Sequence, residues 1–252
     1  MLIDDIVAET KKRVKDIKPR SFKVQTRDII SGMRAKWEEE KIPLIAEIKP
    51  TSPSYGRIKD ISQADAVHIA KMLAEDVIAI SVLTEPKFFG GSIDLLTAVR
   101  NAVDIPVLRK DFIIDELQLQ EVESDLILLI ARILGDELDY FVTKAQFYGF
   151  EPIVEVHSEE EIRSALNTPT RIIGINNRDL NTLNVDLSVT ERLVSCIKEA
   201  DPARFIISES GISSAKDARR VIEAGVDGIL VGTAIMQDIG KAKEMVDAFR
   251  GK

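Results

Sequence analysis

The sequence predicts one α/β domain, a single (β/α)8 TIM barrel carrying a helical N-terminal extension. Three observations predict it. Eight short runs rich in Ile, Val and Leu lie between residues 44 and 231. Amphipathic helical stretches separate them in strict alternation, the pattern of a parallel sheet with right-handed crossovers. The 252 residues also match the roughly 250 typical of one such barrel. A doubly wound open sheet would show the same alternation. Its phosphate-binding fingerprint is missing, however: the first strand-to-helix turn, KPTSPSYG, contains neither GxGxxG nor GxxxxGK[ST]. With no linker or low-complexity segment in sight, residues 1–252 read as one barrel domain, of which 1–42 is the extension.

The extension comes first. Residues 4–18 carry Ile6, Val7, Val14 and Ile17 at rough helical spacing, and Pro19 ends that helix. Residues 26–40 give a second, more polar helix with the only tryptophan, Trp37. Beyond Pro43 the strands are expected at 44–48, 77–83, 106–108, 126–130, 152–156, 171–175, 204–208 and 228–231. None alternates apolar with polar residues, as befits strands buried on both faces. Helices are expected between and after them at 63–74, 95–103, 137–148, 159–166, 189–199, 214–224 and 241–250. Gly149 and Gly225 fall just past helices, where a left-handed cap is wanted. Ser158, followed by Glu159, Glu160 and Glu161, reads as a helix N-cap with acids placed well for the helix dipole.

Composition excludes several function classes. Lys and Arg number 34 against 42 Asp and Glu, a net charge of −8. That opposes a general nucleic-acid coat or a polybasic membrane anchor. It leaves room for an anionic ligand in a locally positive cleft. The longest apolar run, 126–131, is far short of the roughly 18 residues a membrane span needs. The N-terminal residues are acidic and then basic with no apolar signal core, so a cytoplasmic enzyme is expected. A single Cys excludes an intrachain disulfide and a CxxC zinc site; Cys196, among Leu193, Val194 and Ile197, reads as a buried small hydrophobe. Two distant His residues without HExxH spacing argue against a metal site: His68 is structural on a helix, and His157 begins the loop after the fifth strand. No GxSxG occurs, so a hydrolase elbow is unsupported.

Chemistry is expected at the C-terminal ends of the strands, where barrels build their active sites. Glu47 and Lys49, two apart on the first strand, share a face. An acid and a base entering an apolar tube must find partners, because burying either alone is costly. Lys110, Glu155, Asn176 and Glu209 recur at equivalent ends of other strands, a concentration that points to an active site rather than one structural ion pair. Ser210-Gly211-Ile212-Ser213 after the seventh strand and Gly232-Thr233-Ala234 after the eighth suit a phosphate, which barrels often bind at these two loops.

Together these stretches resemble the indole-3-glycerol phosphate synthase family of tryptophan biosynthesis. The resemblance rests on IAEIKPTSPSYG (45–56), VLTEPKFFGGS (82–92), PVLRKDFIID (106–115), GFEPIVEVH (149–157), GINNRDLNT (174–182), SESGI (208–212) and DGILVGTAIM (227–236), in the family's order. It implies a carbon–carbon lyase that converts 1-(2-carboxyphenylamino)-1-deoxyribulose 5-phosphate to indole-3-glycerol phosphate, carbon dioxide and water, with no cofactor and no metal. By that resemblance Lys110 is the general acid of ring closure, and Lys49 is a second ammonium near the substrate carboxylate. Glu155 is the usual base and Glu47 the competing one; which groups serve the dehydration stays open. Asn176 and Glu209 match residues that orient substrate, and Arg178 matches a guanidinium at the anthranilate carboxylate. Ser52, Ser210, Gly211, Gly232 and Thr233 fall in the phosphate loops. Pro53, Phe89, Phe112 and Leu180 are expected walls for the aryl ring.

Two stretches depart from the family pattern. Pro50-Thr51 stands where basic residues are usual, and the segment around 118–125 is short for a third barrel helix, a difference that bears on packing more than chemistry. The resemblance also implies a monomer with weak association, at most, with other enzymes of the same pathway. Three alternatives remain. A Schiff-base aldolase would use Lys110 or Lys49. A phosphoribosyl anthranilate isomerase would need a Cys near the first strand, where this chain has none. A catalytically silent phosphate binder would have no need of the six polar strand-end residues.

Overall fold

The computed structural model describes residues 2–52, 56–57, 61–179 and 181–249, with the side chains of all of these except Ser52 and Arg57. Eight strands close into a parallel barrel. They are β1 Leu44–Ile48, β2 Ala79–Leu83, β3 Val107–Lys110, β4 Leu126–Ile130, β5 Glu151–Val156, β6 Ile172–Asn176, β7 Phe205–Glu209 and β8 Gly228–Val231. Closure is direct, since β1 pairs with both β2 and β8.

The strands are apolar on both faces because each face has its own core. Ile45, Leu108, Leu128, Ile153, Ile172 and Ile207 belong to one buried cluster inside the barrel. Alternate residues such as Ala46, Val107, Leu129, Val154, Ile173 and Ile206 belong to the larger cluster beneath the helices. The strand period of two therefore aims the polar strand-end residues inward as well. Glu47 and Lys49 continue the inward row of Ile45, Lys110 that of Leu108, Glu155 that of Ile153, Asn176 that of Ile172 and Glu209 that of Ile207. One end of the tube is apolar and the other is charged.

Strand bounds differ from expectation where chemistry lies. β3 runs on to Lys110 and β7 to Glu209, because register pairs Leu83 with Lys110 and Asn176 with Glu209. Both side chains therefore project from ladder positions rather than from loops. β2 starts at Ala79, with Val77 and Ile78 buried ahead of it.

The helices are α1 Leu2–Arg13, α2 Ile29–Glu38, α3 Gln63–Leu73, α4 Ile93–Ala102, α5 Ala131–Leu134, α6 Leu138–Tyr148, α7 Glu159–Leu166, α8 Ser188–Ala200, α9 Ala215–Ala224, α10 Thr233–Gln237 and α11 Gly240–Val246. Ser62, Ser92, Ser158 and Ser214 each cap a helix by accepting the backbone N–H three residues on. Gly149 and Gly225 end α6 and α9 in the left-handed region, at φ 91° and 111°. The short β3–β4 connection is a single 3-10 helix, Glu116–Gln120, with Asp115 and Gln118 forming a capping box. Cys196 is half-buried at the edge of the outer core, less enclosed than expected.

The extension differs in its bounds. α1 stops at Arg13 and passes into the 3-10 turn Val14–Asp16 rather than continuing to residue 18. α2 begins at Ile29, because Asp28 caps it. Arg27 is bound elsewhere, to Asp125 and to the carbonyls of Arg100, Val103 and Ile105. Ile29, Ile30 and Met33 of α2 join the inner cluster with Ile45, Leu126 and Ile172. No helix among the described residues is long and apolar enough to cross a membrane.

Candidate active site

The charged end of the barrel opens into a cavity of about 360 Å³. Of the expected site residues, Glu47, Lys49, Lys110, Glu155, Asn176, Glu209, Phe89, Phe112, Arg178, Ser210, Gly211, Gly232 and Thr233 all line it. Pro53, Leu180 and the side chain of Ser52 lie outside the described residues.

Two clusters of opposite charge form its floor. Lys49 Nζ lies 2.8 Å from Glu47 Oε1. Lys110 Nζ donates to Glu209 Oε2 at 2.5 Å and reaches Glu155 Oε2 at 3.4 Å. Glu47, Glu155 and Glu209 are all buried. Burial opposes ionisation of Glu47, but Lys49, Lys110 and Arg178 outweigh it and hold the carboxyl below its ordinary range. Glu155 is likewise low: burial is outweighed by Lys110, His157 and an Asn176 hydrogen bond. Glu209 goes the other way. Burial, with Glu155 and Glu47 adding to it against the pull of Lys110, pushes its carboxyl up to about 7. Burial would lower Lys110, yet Glu209, Glu155 and Glu47 together hold its ammonium above the ordinary lysine value.

Two glycines make this crowding fit. A Cβ at Gly174 would stand 2.3 Å from Glu209 Oε1, and one at Gly232 would stand 2.4 Å from Glu47 Oε1. Both glycines lie on inward rows, so each glutamate folds into the space left by a missing side chain.

The walls are built by loops. Glu85 accepts hydrogen bonds from the backbone N–H groups of Lys87, Phe88 and Phe89, which shapes the β2–α4 loop. That loop sets Phe89 against Phe112, with ring centroids 5.8 Å apart and planes tilted 33°. The β6–α8 loop is pinned by a backbone bridge between Arg178 and Val185, and Arg178 donates to the Leu183 carbonyl at 2.8 Å. Asn177 faces away from the cavity and donates to Ser208 Oγ and to the carbonyls of Glu209 and Ser210, fastening the end of β7. Ser210 and Gly211 then take left-handed φ of 69° and 79° in succession. Such a turn presents successive backbone N–H groups, a geometry suited to an anion. Thr233 opens α10 beside it.

Sequence reading missed several lining residues. Leu2, Ile3 and Ile6 of α1 form part of the wall, as do Leu183 and Val185. Nothing in an ordinary amphipathic helix announces that its apolar stripe faces a ligand cavity. Lys241 also lines the cavity, with Nζ 3.5 Å from the Ser213 carbonyl. His157 stands against Glu155, and the S-x-x-E sequence from Ser158 to Glu161 announces a helix cap beside it but not the partners of its ring.

Comparison with known proteins identifies the family. A sequence profile of the family described as "Indole-3-glycerol phosphate synthase" matches residues 3–247. The chain is 42% identical to the indole-3-glycerol phosphate synthase of Halobacterium salinarum, over 93% of this chain and 90% of that one. It is 40% identical to the synthase of Caldanaerobacter subterraneus subsp. tengcongensis over the whole length of both. Among solved structures it is similar to an N-acetylmannosamine-6-phosphate 2-epimerase from Clostridium perfringens, with TM-score 0.59 at 15% identity, covering 79% of this chain and 89% of that one. The last likeness concerns the fold alone.

Proposed function

This chain belongs to the indole-3-glycerol phosphate synthase family, and we propose on that basis that it closes the indole ring of 1-(2-carboxyphenylamino)-1-deoxyribulose 5-phosphate. The observation that carries the reading is Lys110, an ammonium held between two buried carboxylates on the floor of a cavity with an aromatic wall and a left-handed turn at Ser210-Gly211.

The aryl carbon bearing the carboxylate attacks the ketone carbon. The ketone oxygen is scarcely basic at the start and becomes an alkoxide as the bond forms. Lys110 delivers its proton to that oxygen. Its raised basicity keeps it loaded at every working pH, and the alkoxide supplies the driving force for transfer. Loss of carbon dioxide then removes the carboxylate, and dehydration with loss of a ring proton gives the indole. Glu155 is low and ionised, suited to accept a proton. Glu209, near 7, is suited to hold one during turnover. Lys49 and Arg178 offer positive charge to the substrate carboxylate. Ser210, Gly211, Gly232 and Thr233, with Ser52, receive the phosphate, and Pro53 belongs with the walls of the aryl ring. Phe89 and Phe112 face the aryl ring, and the family resemblance adds Leu180 as a further wall for it.

The reading is tested by stoichiometry. One carbon dioxide should be released per substrate consumed, with inorganic phosphate a competitive inhibitor. Substrate consumption without carbon dioxide, or trapping of a lysine adduct by borohydride, would favour the aldolase-like reading instead.

A further inference from the structure

Against Glu155, outside the lining of the cavity, lies a titratable group that ring closure does not use. His157 follows β5 directly, one residue before the cap of α7. Its ring is enclosed, with the side chain only 11% exposed. Nδ1 lies 3.1 Å from Glu161 Oε2, and the same carboxylate oxygen accepts the His157 backbone N–H at 2.8 Å. Ser158 Oγ meanwhile caps the N–H of Glu161. In a capping box the acid at this position reaches back to the cap residue's own N–H. Here Glu161 reaches one residue further and clamps both the backbone and the ring of His157.

The clamp aims the other nitrogen. Nε2 is buried, has no hydrogen-bond partner, and stands 3.4 Å from Glu155 Oε1. Glu155 Oε2 is the oxygen that faces Lys110. Each carboxylate oxygen of Glu155 thus faces a different cationic group. With an acid at both nitrogens, the imidazole is best satisfied when both carry protons.

We infer that His157, oriented by Glu161, is a positioning residue that fixes the rotamer and charge of Glu155 when Lys110 turns to the substrate. The inference deepens the reading of Glu155 as a base and rests on it. The ion pair with Lys110 cannot hold Glu155 throughout the reaction, because Lys110 gives its proton away. His157 lies on the far side from Lys110 and keeps one Glu155 oxygen engaged at that moment. Its own ionisation agrees. Burial would lower it, but the Glu161 hydrogen bond and the charges of Glu155, Glu161 and Glu209 outweigh burial and raise it above the ordinary histidine value. The groups facing Glu155 are Lys110, His157 and Asn176, with Glu209 across Lys110.

NMR titration of the whole protein tests this without depending on turnover. The chain has two His, so a His68→Gln variant assigns the ring signals. With glutamate carboxyl carbons labelled, wild type, His157→Gln and Glu161→Gln are titrated. The Glu155 carboxyl should titrate about one pH unit or more higher in His157→Gln, since a cation within contact distance is lost. Glu161→Gln should lower the His157 titration and raise that of Glu155 by less. The acid limb of the kcat/KM profile should move to higher pH in the same order. A Glu155 titration unchanged in both variants, with thermal stability alone reduced, would overturn the inference and leave His157 a structural residue. Movement of the carboxyl titrations in a protein that never turns over the substrate would support the clamp and overturn the assigned reaction instead.

Discussion

Glu209 occupies the most demanding position in the cavity, and its behaviour with pH is distinctive. Its folded carboxyl titrates near 7, against an ordinary 4.5. Between those values the folded state holds a proton that the unfolded chain has released. The stability this group contributes is therefore complete below about 4.5 and is lost as pH rises through 7. Glu209→Gln removes that dependence. The difference in Tm between Glu209→Gln and wild type should be larger in the variant's favour at pH 8 than at pH 5, read by calorimetry at both. A difference that shrinks with rising pH would show the carboxyl to be low instead. Gly174→Ala addresses the same residue from the other side. The new methyl would meet Glu209 Oε1 at 2.3 Å, so the carboxylate must move. A shift of about 1 Å in an active-site group can lower turnover about a hundredfold. We expect kcat to fall on that scale while far-ultraviolet circular dichroism stays unchanged.

The element that links fold to site is α1. Arg13, its last residue, makes two contacts to Asp111, at 2.8 and 2.9 Å, and donates to the Thr84 carbonyl. Asp111 is buried and is bonded in turn by Arg109 and Thr84 Oγ1. Arg109 is itself fully buried and also holds the Gln118 carbonyl and Glu121. Arg109 and Asp111 thus anchor α1 and the short β3–β4 turn, while Lys110 between them points into the cavity. Arg13→Ala should destabilise the protein by about 1–3 kcal/mol in urea unfolding, because it leaves a buried carboxylate short of a partner. It should also raise KM more than it lowers kcat, since Leu2, Ile3 and Ile6 line the cavity. An unchanged KM would mean that α1 does not hold the cavity wall.

Elements differ in how plainly the sequence announces them. The strands were legible because both faces are apolar, and the acids and lysines at their ends broke that pattern conspicuously. The sequence RKD at 109–111 does not reveal that Lys110 alone joins the carboxylates of the floor while Arg109 and Asp111 anchor the surrounding elements. The single turn of 3-10 helix replacing a third barrel helix showed only as missing length. His157 gave no signal that its partner would be Glu161 rather than the helix cap.

Over the whole molecule, the inner rows divide the barrel into an apolar half and a charged half. The net charge of −8 makes the local balance at the mouth decisive. Lys49, Lys110, Arg178 and Lys241 gather on one cavity and offset its carboxylates, so a substrate carrying both phosphate and carboxylate finds positive partners. Of the large exposed apolar side chains among the described residues, Met72 lies on α3, Tyr140 and Phe147 share a face of α6, and Val185 lines the cavity. The monomer that the family resemblance implies is checked by size-exclusion chromatography with light scattering, which should give the mass of one chain, 28.0 kDa. A mass of twice that value would contradict this expectation.

On the proposed function, Lys110 drives ring closure in this cavity. The direct measurement mixes purified protein with 1-(2-carboxyphenylamino)-1-deoxyribulose 5-phosphate and follows indole fluorescence, beside a Lys110→Ala variant shown to be folded. Wild type should form product, and the variant should lose at least about a hundredfold in kcat, the scale of a general acid's contribution. Wild-type protein that binds inorganic phosphate yet forms no indole, or a variant that forms it at the wild-type rate, would contradict it.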